Sequence, residues 1–247
     1  MTSAEKDVYC RILLLFGKKL VAVWSHLKTY KEIEIKLVEQ ARNKPPTQGD
    51  VVTIEHSQDL FLEFDEFLVQ IKSSLDYLAK IPTPILTKKI WNLHTFGSYG
   101  EDVLKVLENN LPADLKQRAN GFREVVFQKH ANWLKETIRA RDKINHFLDG
   151  GLRFEDFTVF LAANDQAKKI HVPMWSTDQT VSTFMEITWG NLIVLSEDFI
   201  AFFVSLKLKK DLTLLRVGVE RGSHRTPWRL CSKKEAEAFA RKVEAAS

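Results

Sequence analysis

The chain has 247 residues and a formal net charge of +4, with 45% hydrophobic and 28% charged residues. That is the balance of a globular protein long enough to bury a sizeable core. Its 10 Gly and 7 Pro are too few for a turn-dense sandwich or barrel, and Cys10 and Cys231 alone make neither a disulfide framework nor a zinc site.

Glu5, Lys6 and Asp7 precede the first apolar residues, which is not signal-peptide organisation. The most apolar later stretch, 192–206, is interrupted by Glu197 and Asp198, so no membrane span and a reducing cytoplasm are expected.

In chain order, Val8, Ile12, Leu15, Phe16, Leu20, Val23, Leu27 and Tyr30 recur at three- and four-residue steps and predict a long amphipathic helix. Residues 32–37 alternate like a strand, yet each tolerates a helix, and the reading continues the helix to about 43. Pro45, Pro46 and Gly49 mark a loop. A second helix is predicted over about 57–80, with Leu60, Phe64, Phe67, Ile71 and Leu78 on one face, stopped by Pro82 and Pro84. After an irregular stretch ending at Gly97 and Gly100, a short helix covers 101–109. Pro112 opens another long helix, running to Asp149, with Phe122, Val126, Trp133, Ala140, Ile144 and Leu148 as its buried stripe.

A β-hairpin is expected within about 153–173, turning at Asn164-Asp165. Ser176 to Gln179 has the pattern of a capping box for the last long helix, in which Met185, Thr188, Leu192, Leu195, Phe199, Phe202 and Leu206 repeat. The fold class is therefore all-α in the main: an antiparallel bundle of about four long helices, residues 1–207, with a small β-hairpin insertion. Residues 208–247 form a basic tail with a short terminal helix behind a second capping pattern, Ser232 to Glu235. From Lys207 onward 11 Lys/Arg stand against 5 Asp/Glu, a surplus of +6, so the preceding residues sum to −2.

The sequence with chemical content is Ile138-Arg139-Ala140-Arg141-Asp142-Lys143-Ile144-Asn145-His146. Arg141-Asp142 and His146 have four residues between Arg and His, and Arg139 and His146 have six. A third pair, Arg123 and His130, shares the latter spacing but lies mid-helix among larger side chains and reads as a decoy. At 100° per residue, Arg139, Asp142 and His146 fall within about 60° of one another, whereas Arg141 lies about 140° from His146. Spacing nominates Arg141 and face geometry nominates Arg139.

This motif resembles that of the HEPN superfamily: Arg, then four to six residues of which the first is usually polar, then His. The resemblance implies a helical bundle and a metal-independent, cofactor-free endoribonuclease whose cleft forms across a homodimer, in a defence or toxin setting. It implies that His146 does acid–base work and that Arg141 or Arg139 grips the phosphate. Asp142 is the candidate to orient the imidazole. The residue types suit RNA cleavage, because a near-neutral imidazole can move the 2′-OH proton and a guanidinium fork fits phosphate oxygens. Superfamily toxins paired with a nucleotidyltransferase antitoxin carry Tyr two positions after the His. Leu148 stands there, so that partner is not implied.

Arg221, Arg225, Trp228 and Arg229 mix cations with an aromatic ring, a composition suited to single-stranded RNA. Ser73, Ser74 and Asp76 are candidates to line a cleft, against small-residue packing plus an exposed carboxylate. His94, Thr95, Ser98 and Tyr99 are candidates for a binding loop, against a connecting one. The alternative to a nuclease is a catalytically silent helical protein that binds nucleic acid, a ligand or a protein.

Overall fold

A computed structural model describes residues 1–43, 52–53, 57–86, 89–97, 100–123, 128–145, 153–164, 167–209, 211–216 and 228–244. The chain is mostly helical with small antiparallel sheets. Its first element, α1 (Ser3–Asn43), is one unbroken helix of 41 residues. Its buried residues Phe16, Val23, Leu27, Tyr30, Leu37 and Ala41 sit three, four or seven apart, the spacing of one helix face. The ambiguous alternation at 32–37 is resolved as helix: Leu37 is buried and Ile33 packs beside the core, while Ile35 is 54% exposed.

Helix α2 (Ser57–Lys80) lies antiparallel to α1. Lys19 Nζ donates to Gln70 Oε1 at 3.0 Å, and His26 Nδ1 lies 2.7 Å from Glu63 Oε2, so rising numbers on one helix meet falling numbers on the other. A single turn, α3 (Thr83–Leu86), follows. The stretch from Trp91 to Gly97 is then fastened back onto α2. The Trp91 indole donates to the Ala79 carbonyl at 2.8 Å, and Asp76 Oδ1 accepts from the Phe96 amide at 2.8 Å and from Lys72 Nζ at 2.6 Å. Gly97 and Gly100 both take left-handed φ, and a Cβ on Gly97 would come 3.2 Å from Asp102.

Helix α4 (Glu101–Asn109) leads to α5 (Ala113–Phe122) and α6 (Gln128–Asn145). These last two share the span expected as one long helix, with 124–127 and 146–150 outside the described residues. Strand β1 (Val52–Thr53), absent from the sequence-based expectation, pairs with β2 (Phe160–Asn164), which pairs with β3 (Ala167–His171). The hairpin is therefore one side of a three-stranded antiparallel sheet. The turn residue Asp165 lies outside the described residues.

Helix α7 (Val181–Ser205) packs on α1, α2 and α6. It is long and apolar enough to cross a membrane by length and composition. Here Trp189, Ile200, Phe202 and Leu206 pack against the core alongside eleven buried residues, while Ile187 is exposed. Its cap differs from expectation. Thr180 Oγ1 accepts from the Thr183 amide at 3.2 Å, while 176–179 form a turn in which the Trp175 and Ser176 amides donate to the Gln179 carbonyl. The Ser-x-x-Gln pattern lost because that carbonyl closes a tight loop upstream of the helix. The segment expected as a tail contains a hairpin, β4 (Leu212–Arg216) and β5 (Trp228–Ser232), and α8 (Lys233–Glu244). The cap of α8 is as expected: Ser232 and Glu235 exchange side-chain-to-backbone bonds at 2.7 and 3.2 Å.

Candidate functional site

Helix α6 turns two faces to two different environments. His130, Trp133, Leu134, Thr137, Ile138 and Ala140 are buried against the core. On the opposite side Asn132, Lys135, Glu136 and Arg139 follow one another at i, i+3, i+4 and i+7, and all four are exposed. Together with Ala140 and Trp175 they line a groove of about 350 Å³ between α6 and the segment that leads into α7.

Trp175 is the fixed wall of this groove. Its indole Nε1 donates to Glu136 Oε1 at 2.6 Å, and its ring stacks on Phe184 with centroids 4.0 Å apart and planes 19° from parallel. Phe64 of α2 closes the cluster behind, 6.0 Å from Trp175 and 6.2 Å from Phe184.

The two arginines of the motif do not share a location. Arg139 is on the groove. Arg141 sits where α6 packs on α2: its Nη1 donates to Asp142 Oδ1 at 3.2 Å, and its charge partly offsets the burial of Asp65. Burial raises the Asp65 carboxyl above the usual carboxylate range, Glu66 adds to that, and Arg141 opposes it. The Arg141 and Asp142 side chains are 34% and 40% exposed. The ideal-helix argument separated the arginines by face, and their observed surroundings agree with it. His146 lies outside the described residues.

The decoy pair is explained. His130 is 2% exposed and its Nδ1 accepts from the Trp133 indole at 2.6 Å, while Arg123 pairs with Glu108 at 2.7 Å. Neither expectation for the Ser73–Asp76 stretch is met in full. Ser74 is buried and donates to the Gln70 carbonyl, as small-residue packing requires, but Asp76 is an anchor for the Phe96 amide rather than an idle exposed carboxylate. Thr95 donates to Asp102 at 3.3 Å beside the left-handed Gly97, while Ser98 and Tyr99 lie outside the described residues. Of the basic aromatic group near the end, Trp228 is half-buried and Arg229 exposed on β5, while Arg221 and Arg225 lie outside the described residues.

A second titratable cluster stands at the α1–α7 contact. Burial raises the Glu34 carboxyl, while a hydrogen bond from Ser182 and the charge of Lys31 lower it. Burial, and then Glu34, push the Tyr30 phenol upward. Lys31 also pairs with Glu186 across the same contact. Among the described residues no group of three or more His, Cys, Asp or Glu could hold a metal ion.

Trp175, Lys135 and Asn132 were not singled out from sequence. The α6 spacing could have revealed the polar face; nothing in the sequence brings Trp175 to it. No family model, curated protein or solved structure matches the chain.

Proposed function

We propose that this chain is a HEPN-type, metal-independent endoribonuclease that cleaves single-stranded or loop RNA as a homodimer in the cytoplasm, in a defence or toxin role by analogy with that superfamily. On this reading α1, α2, α6 and α7 are the four helices of the bundle. The antiparallel α1–α2 contact and the packing of α7 on α1, α2 and α6 support that arrangement.

The observation that carries the reading is the placement of Arg139. A guanidinium on an exposed groove can reach a phosphate; one bonded to Asp142 and offsetting the charge of the half-buried Asp65 on α2 is employed in packing. The pairing of His146 with Arg139 rests on sequence spacing alone, seven residues at 100° each, since His146 lies outside the described residues. Arg139 then serves as the phosphate clamp, His146 as the acid–base group, and Asp142, held by Arg141, as its orienting neighbour. Charge developing on the equatorial oxygens would be met by a donor fork already in place. One imidazole leaves the second proton transfer to the partner subunit's copy of the same motif. Arg221, Arg225, Trp228 and Arg229 extend the RNA contact along the basic C-terminal region.

The test is cleavage of an end-labelled, unstructured RNA by wild type and by His146→Ala, both in EDTA. Wild-type cleavage that the substitution abolishes supports the reading. Activity that disappears in EDTA, or that survives His146→Ala, overturns it.

A further inference from the structure

We infer that the groove beside α6 is a nucleotide subsite in which the Trp175 indole stacks on an unpaired base while Lys135 and Arg139 carry the adjoining phosphate. The identity of the polymer as RNA rests on the function proposed above; the groove's preference for an unpaired base does not.

Stacking needs a flat ring that is already immobile, because ordering a side chain on binding costs affinity. Trp175 meets that condition from three directions. Its backbone amide is bonded to the Gln179 carbonyl at 2.8 Å, its indole NH to Glu136 at 2.6 Å, and one ring face is covered by Phe184. What lines the groove is thus a ring with a preset plane. The volume, about 350 Å³, falls among pockets that take small organic molecules, roughly 300–1,000 Å³.

The charge of the lining fits a base attached to a phosphate. Lys135 and Arg139 contribute two cations against the carboxylate of Glu136, and Glu136 already receives the indole NH. Asn132 adds an amide with both donor and acceptor groups, able to meet the edge of a stacked base. A base inside a duplex is stacked on its own neighbours, so this arrangement favours a single strand.

The experiment measures binding of fluorescein-labelled ten-nucleotide oligoadenosine and of the same strand in a duplex, using full-chain His146→Ala protein in EDTA. Single strand is expected to bind more tightly than duplex. Trp175→Leu should weaken single-strand binding about tenfold or more, and Trp175→Phe, which keeps a ring, should stay much closer to the parent. Lys135→Ala, at an exposed position, should lower the slope of log affinity against log salt by about 0.7. Thermal unfolding of each variant identifies any that fails to fold, in which case the Phe and Lys135 variants decide.

Equal losses in the Leu and Phe variants, an unchanged salt slope, or duplex bound as well as single strand would overturn the subsite. The two proposals fail separately. Wild-type cleavage that Trp175→Leu leaves unaltered in KM removes the subsite and keeps the nuclease. Ring-dependent binding without any wild-type cleavage does the reverse.

Discussion

Replacing Arg139 and Arg141 one at a time by Ala should produce contrasting phenotypes. Arg139 is exposed on the groove, so its loss should alter folding stability by no more than about 0.5 kcal/mol. As the group facing developing negative charge, its removal should lower kcat/KM by about 10²–10³. Arg139→Lys should restore only part of this, because an ammonium offers a point charge without the planar fork. Arg141 should act mainly on stability, with a smaller effect on cleavage through the Asp142 that it holds. Its pair with Asp142 is partly solvated and is worth about 0.2–1 kcal/mol after screening. Its loss also leaves the buried Oδ1 of Asp65 without that compensating charge, bringing the total to about 1–2 kcal/mol. For a chain this long that is a fall in Tm of about 2–8 °C.

The Arg141 effect should also depend on pH. The part that runs through Asp65 exists only while that carboxyl is ionised, so it should be largest near neutrality and shrink as Asp65, whose pKa burial raises, takes up a proton in acid. Thermal unfolding at pH 7 and pH 4, beside cleavage of labelled RNA at a temperature where all variants are folded, makes the comparison. Undiminished cleavage by Arg139→Ala, or a larger stability loss there than in Arg141→Ala, would refute the division of labour.

Glu34→Gln should raise Tm at neutral pH. The Glu34 carboxyl has a higher pKa folded than unfolded, so its contribution is most favourable below the unfolded value and is lost as pH rises through the folded one; the gain from Gln should vanish in acid. Asp76→Ala should cost about 1.5–3 kcal/mol, since the Phe96 amide and Lys72 lose a shared charged acceptor, and hydrogen exchange at Phe96 should accelerate. Ser232→Ala should remove about 1 kcal/mol from the terminal helix, read as lost helical ellipticity in the heating curve, with little effect on cleavage.

The helices were legible because their apolar residues repeat at the helical period over long spans. Residues 57–80 and 101–109 have the bounds expected of them, and the 41-residue helix ends where its periodicity does. What escaped was non-local. Val52 and Thr53 become a strand only because Phe160 and Leu161 lie alongside, and the 212–232 hairpin is read from pairing rather than from an alternating pattern. The same limit applied to the site. Helical geometry alone put Arg139 and Arg141 on different faces, but it could not say that one face would meet Asp65 and the other Trp175. That choice is made by how α6 is rotated against α2 and the segment ahead of α7.

The ring that walls the groove is not a local ornament of that groove. Phe157, just ahead of the three-stranded sheet, touches Phe61 and Phe64, both at 5.4 Å, and Phe64 in turn meets Trp175 and Phe184. Five aromatic rings drawn from three separate parts of the chain thus share one interlocked mass. An insertion that lifts the sheet, or a smaller residue at Phe64, would tilt the indole without touching the groove's polar lining. Selection on ligand preference can therefore act through residues that no ligand meets.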